Sequence, residues 1–201
     1  MAKNKFYVVW SGVHPGIYDN WEDCKLQVTG YENARYKSFE TLEKARAAYE
    51  QSYVAFQQAT IQKSNGLFIR ESIALDAACS GNPGDMEYRG VYVATGVEWF
   101  RIGPYKQGTN NVGEFLALVH ALALMKQKNL NLPVYSDSRN AILWIQQKKC
   151  KTKLERTHEN EPLFDLIERA ERWLRENSYT TKILKWETAE WGEIPADFGR
   201  K

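Results

Sequence analysis

Between Ser72 and Gly84 the chain reads SIALDAACSGNPG. An apolar strand carries an acid at its centre and then breaks into small residues and a Gly-Asn-Pro-Gly turn. Such a strand belongs inside a sheet, where an unpaired carboxylate costs several kcal/mol of desolvation. The fold must therefore bring compensating positive charge to Asp76. A mid-strand acid can pair with a base such as Arg70 or Lys185, or it can help hold a cation.

The surrounding pattern limits the architectures that can do this. From Leu67 onward, strand-like runs at 67–78, 88–95 and 97–102 precede a long helical stripe at 112–128. A strand at 132–136, helices at 138–148 and 161–176, and a strand at 181–187 follow. Opening strands can form a meander, whereas successive β-α-β passages impose parallel neighbours, so the expectation is an α/β mixed sheet flanked by helices.

The first fifty residues follow a different grammar. FYVVW at 6–10 and GIY at 16–18 read as paired strands. Asn20 and Asp23 open a helix that closes before Gly30, and ARYKSF at 34–39 alternates like an edge strand. Thr41 caps a second helix that contains LEKARAAYEQSYVAF, and QQATIQKSNG at 57–66 reads as its end and a linker. The expected division is a small α+β domain at 1–50, helix end and linker at 51–66, and a larger domain at 67–201.

Composition excludes some classes. With 27 basic and 25 acidic residues the net charge is only +2, so bulk charge announces no nucleic-acid partner. Cys24, Cys79 and Cys150 are odd in number and far apart, which argues against a disulfide framework or a thiolate zinc site and favours a reducing compartment. No apolar run suits a signal peptide or membrane span. The expectation is a cytoplasmic monomer without a membrane partner.

Three further acids stand at the ends of elements. Glu114 is read in the first turn of the helix announced by TNNVG, Asp137 follows the strand LPVYS, and Asp197 lies in WGEIPADFGRK near a fifth acid, Glu193. Each has an ordinary reading: Glu114 and Asp137 as complements of helix N-termini, Asp197 as a solvated charge. Converging, they form an oxygen-rich set without histidine or thiolate, suited to Mg²⁺ or Mn²⁺. Two such ions about 3.5–4 Å apart serve in-line phosphoryl displacement.

In order, LDAACSGNPG, TNNVGEFLALVHAL, VYSDSRNAILWI and KWETAEWGEIPADFGRK resemble the type-1 ribonuclease H family, in particular its bacterial subgroup ending in WGEI-x-AD-x-GRK. The N-terminal segment is similar to that family's hybrid-binding domain, also called viroplasmin or caulimovirus-type. The resemblance implies a five-stranded ribonuclease H-like sheet. It also implies endonucleolytic cleavage of the RNA strand of RNA-DNA hybrids, leaving 3′-hydroxyl and 5′-phosphate ends. Two Mg²⁺ ions, with Mn²⁺ as a substitute, would be held by Asp76, Glu114, Asp137 and Asp197, with Glu193 as auxiliary acid. Ala77 stands where members often have Gly, and no histidine follows His158.

Hybrid selectivity requires contacts to 2′-hydroxyls in an A-like minor groove. Ala77, Cys79, Ser80, Gly81, Asn82, Asn110 and Asn111 suit that approach, although SGNPG is equally readable as a tight turn. By resemblance a DNA-phosphate pocket involves Thr109, Asn111 and Thr152 beside Trp144, with the lysines of KKCKTK nearby. In the N-terminal domain Tyr7, Trp21, Tyr36 and Lys37 match the hybrid-binding surface, while Ser38 stands where many relatives carry a second Lys. Core packing is the competing role for Tyr7, Trp21 and Trp144. An integrase- or transposase-like nuclease and a non-catalytic hybrid-binding protein are the alternative functions.

Overall fold

The computed structural model describes residues 5–32, 34–53, 55–56 and 68–199. They fall into two compact units, the first comprising 5–56 with Phe198 and Gly199, the second 68–197. The expected linker at 57–66 lies outside the described residues.

In the first unit β1 (Phe6–Ser11) is the centre of an antiparallel sheet between β2 (Gly16–Tyr18) and β3 (Arg35–Phe39). Val8 and Val9 point to opposite faces, yet both are fully buried, because α1 (Trp21–Val28) and α2 (Leu42–Tyr49) both pack on β1. Asn20 and Thr41 cap these helices through side-chain oxygens that accept from the amides of Asp23 and Lys44. The second helix does not run on to Phe56 as its sequence suggests. It stops at Tyr49, where the Trp10 indole donates to the carbonyls of Ala48 (3.1 Å) and Gln51 (3.0 Å). Ser52 then accepts from the Ala55 amide, starting a fresh turn.

The second unit is a five-stranded sheet in the order β6-β5-β4-β7-β8. β4 (Ile73–Gly81), β5 (Gly84–Tyr92) and β6 (Val97–Gly108) form the antiparallel meander. β7 (Val134–Ser136) and β8 (Ile183–Lys185) add parallel neighbours on the other side of β4. α3 (Asn110–Gln127) packs on β4 and β5, with α4 (Arg139–Gln146) and α5 (Glu161–Glu176) against it. A four-residue helix, α6 (Thr188–Trp191), which the sequence pattern does not announce, precedes the terminal segment.

Ile73, Leu75 and Ala77 join α3 residues such as Phe115, Leu118 and Leu122 in the main core. Ala74, Val91 and Val93 form a second cluster with Trp186, Ile194 and Ala196. This two-sided burial explains why the β4 sequence is almost continuously apolar. Among the described residues no helix is long and apolar enough to cross a membrane.

Candidate metal centre and nucleic-acid interface

Parallel pairing of β4 with β7 matches Ile73 to Val134, Ala74 to Tyr135 and Leu75 to Ser136. The next residue on β4 is therefore Asp76, and the residue that follows the end of β7 is Asp137. The third acid arrives from α3, and Gly113 lets it come close. A Cβ at Gly113 would lie 2.6 Å from both the Ala77 Cβ and the Met86 sulfur. A mid-helix glycine costs roughly 0.5–1 kcal/mol relative to alanine. Here it lets the helix backbone sit against β4 and places the following residue, Glu114, beside Asp76. As a result Asp76, Glu114 and Asp137 each offer an oxygen within 4.8 Å of the others.

The ordinary reading of Glu114 as a first-turn complement of its helix fails, and Asp137 stands just before a helix that another residue caps. α3 begins at Asn110, two residues earlier than the sequence stripe suggests, so Glu114 is its fifth residue and the first turn holds no acid. The Thr109 hydroxyl caps that helix by accepting from the Val112 amide (3.4 Å). Asp137 precedes the cap of α4, which is Ser138, whose hydroxyl accepts from the Ala141 amide (3.2 Å). Arg70 and Lys185, the bases nearest in the sequence argument, donate to the carbonyls of Ala94 and Trp186.

Like carboxylates at this separation repel by about 3–4 kcal/mol per pair at an effective dielectric of about 20. Compensating positive charge relieves that repulsion. Its donors are all carboxylate oxygens, the chemistry of a hard divalent cation site.

Asp197 is not one of the three acids within 4.8 Å of one another. It is buried in the irregular segment after α6, its amide donating to the Ile194 carbonyl (2.8 Å). Half-buried Glu193 lies in the same segment, after Gly192, whose carbonyl accepts from the Trp186 indole (2.8 Å).

Gly81 pairs with Gly84 across a two-residue turn, Asn82-Pro83, and the positive φ of Gly81 (124°) is a conformation that L side chains rarely adopt. SGNPG is thus a hairpin turn, and it also leaves Ser80, Gly81 and Asn82 exposed beside half-buried Cys79 and buried Ala77. The Cys79 thiol donates to the Gly108 carbonyl (3.3 Å), tying β4 to the end of β6. Exposed Asn110 and Asn111 open α3. Asn82, Thr109, Asn111, Trp144 and Thr152 line one cavity of about 400 Å³ with Pro83, Lys151, Lys153 and Leu154. Trp144 fills both roles open to it: it is 8% exposed, sets its ring against Phe115 at 6.2 Å, and still forms part of the cavity wall.

Sequence reasoning missed the residues that shape these walls. Buried Glu171 accepts from the Cys150 amide (3.0 Å) and from Lys149 (2.8 Å), pinning the loop that carries Lys151–Lys153. Gly113 and Arg89 were readable only as anomalies, a glycine in a helical stripe and a base in an apolar strand. His158 is exposed.

In the first unit Trp21 lies between Tyr7 (5.5 Å) and Tyr36 (5.7 Å). Tyr36 is 8% exposed, a core residue more than a contact surface, whereas Tyr7, Trp21 and Lys37 are half-buried. Lys37 also sets its ammonium over the Phe56 ring at 5.5 Å.

Two protein families match separate stretches of the chain. Residues 5–49 match the family described as ribonuclease H1 N-terminal domain, and residues 70–189 match the RNase H family. A ribonuclease H of Crithidia fasciculata is 53% identical over 45 residues, 22% of this chain and 9% of that protein. The transactivator/viroplasmin protein of cauliflower mosaic virus (strain Bari 1) is 41% identical over 56 residues, 28% of this chain and 10% of its own length. The alignments thus span about a tenth of these relatives. Among solved structures, LC11-RNase H1, isolated from compost by a metagenomic approach, aligns with a TM-score of 0.40 and 21% identity over 60% of this chain and 87% of its own. The RNase H1 of Halobacterium salinarum aligns with a TM-score of 0.38 and 21% identity over 62% and 91%. Because the match at residues 70–189 takes in more than half of the 201 residues and contains the three acids that meet, the chain belongs to the ribonuclease H family.

Proposed function

We propose that the protein hydrolyses the RNA strand of RNA-DNA hybrids endonucleolytically, leaving 3′-hydroxyl and 5′-phosphate ends. The observation that carries this reading is the meeting of Asp76, Glu114 and Asp137 within 4.8 Å. The family depends on divalent metal, and this donor set fits it. Asp76, Glu114, Asp137 and Asp197 would hold two Mg²⁺ ions, or Mn²⁺ in their place. Bound divalent ions supply charge stabilisation at the scissile phosphate and a nucleophilic water at neutral pH.

The chain's own groups orient the substrate. Thr109, Asn111 and Thr152 present hydroxyls and an amide in one cavity beside Trp144, with Lys151 and Lys153 at its wall, a combination suited to one backbone phosphate of the DNA strand. The exposed turn Ser80–Asn82 offers backbone groups and short side chains to the 2′-hydroxyls of the RNA strand. Glu193 acts as the auxiliary acid beside Asp197. The first unit binds hybrid through Tyr7, Trp21 and Lys37.

Incubating labelled hybrid, double-stranded RNA and duplex DNA, each with and without Mg²⁺, tests the proposal: only the hybrid with Mg²⁺ is cut, in its RNA strand. Asp137→Asn retains hybrid binding and loses roughly three orders of magnitude in turnover, or about 4 kcal/mol. Cleavage of duplex DNA would favour an integrase-like nuclease instead. Wild-type binding without Mg²⁺-dependent cutting would leave only a hybrid-binding protein.

A further inference from the structure

We propose that Arg89 is a positioning residue for the metal centre, fixing the segment that presents Asp197. The inference rests on the reading of Asp197 as the fourth metal-holding carboxylate. Arg89 is the β5 residue paired with Asp76 on β4. Directly opposed residues of antiparallel strands project from the same face. Val91, two positions further along β5, projects from that face too and joins the cluster containing Ile194 and Ala196. Arg89 therefore stands between the strand that supplies one acid and the terminal segment that supplies another.

Two of its hydrogen bonds go to the backbone of that segment. Nε donates to the Ala196 carbonyl at 2.8 Å and Nη2 to the Asp197 carbonyl at 2.7 Å, while Nη1 reaches Glu98 Oε2 at 3.1 Å. Glu98 is held in turn by Arg101 (3.0 Å), so the fork is braced from β6. Arg89 is 7% exposed, and these charge-assisted hydrogen bonds offset the cost of desolvating its charge.

The geometry matters because, among the described residues, the segment after α6 has no ladder or helix to set its direction. Arg89 holds two consecutive carbonyls, and the Asp197 amide closes a turn on Ile194. Both peptide groups of Asp197 are then fixed, which fixes the direction in which its carboxylate leaves the chain. A planar fork can serve two adjacent carbonyls, whereas the point charge of lysine serves one well.

The test uses the full chain with Arg89→Met, Arg89→Lys and Asp197→Asn. The readouts are Mg²⁺ and Mn²⁺ binding by calorimetry, the metal concentration giving half-maximal hybrid cleavage, and thermal melting. Loss of a group that orients a metal ligand typically weakens metal affinity by about 10- to 100-fold. Arg89→Met is expected in that range and Arg89→Lys between it and wild type. Adding Asp197→Asn to Arg89→Met is expected to cost less than adding it to wild type. A folded Arg89→Met protein with unchanged metal affinity and cleavage midpoint overturns the proposal, as does a lowered melting temperature with both metal readouts unchanged. If the Met variant does not fold, the Lys variant is judged by the same readouts. If Asp197→Asn alters neither metal binding nor turnover, the reading of Asp197 fails and the proposal with it. Impaired Asp197→Asn beside intact Arg89 variants overturns the proposal alone.

Discussion

Capping separates the ordinary polar residues of this chain from those that meet at the metal centre. Asn20, Thr41, Thr109 and Ser138 each satisfy a helix amide with a side-chain oxygen. With α3 and α4 closed by hydroxyls, Glu114 and Asp137 are not the caps of those helices. The cysteines make a complementary case. Burial pushes the Cys150 thiol from 9.0 up to about 12, and that of Cys24 to about 11. In the unfolded chain Cys150 ionises near its ordinary value, so the stability associated with its neutral form is fully present below about 9 and is lost as pH rises towards about 12. Alkylation at pH 8 is expected to spare buried Cys24 and Cys150 in the native protein. Half-buried Cys79, whose thiol burial also raises, should react first, and all three should react in denaturant. Peptide mass spectrometry reads this out, and full labelling of Cys150 without unfolding would contradict it.

Among the secondary-structure elements, the approach of α3 to β4 is the contact on which the centre depends. Gly113→Ala gains helix propensity but places a methyl group 2.6 Å from Ala77 and Met86, and overpacking of this kind costs about 1–3 kcal/mol. The helix must shift, and Glu114 with it. A displacement near 1 Å at a reacting centre lowers turnover by roughly ten- to a hundredfold. The expected result is a helical, folded variant with strongly reduced cleavage, seen by comparing circular dichroism with hybrid cleavage rates; wild-type turnover would show that Gly113 does not set this approach. Strands and helices of the second unit were legible because buried β4 is apolar throughout and α3 carries a stripe of helical period. The start of α3 was not, because Asn110 and Asn111 read as loop until Thr109 is seen capping them. Nor was the stop of α2, where EQSYVAF continues a helical pattern and the Trp10 indole, reaching from β1, donates to the carbonyls of Ala48 and Gln51.

At the scale of the whole molecule, two units with separate cores divide the work proposed for the chain, one holding hybrid and the other cutting it. Trp21→Ala removes the ring between Tyr7 and Tyr36. An aromatic contact to nucleic acid is worth about 1–3 kcal/mol, and losing the contact or loosening the small core weakens the same interaction. Affinity for long hybrids should therefore fall by roughly five- to a hundredfold, while cleavage of a short hybrid at saturation is unchanged. Gel-shift titration beside steady-state kinetics checks both, and undiminished affinity would remove the first unit from hybrid binding.

The sequence by itself determined the alternation of strands and helices, the four acid-bearing motifs in their order, and the family they resemble, because periodicity and motif spacing are local properties of a chain. Which carboxylates meet was decided only by the tertiary structure. The parallel register of β4 and β7 sets Asp76 level with Asp137, the missing side chain of Gly113 admits Glu114, and Arg89 ties down carbonyls more than a hundred residues away. Charges and hydrogen bonds act over a few ångströms of space, and only strand register and close packing bring residues so distant in sequence within that reach.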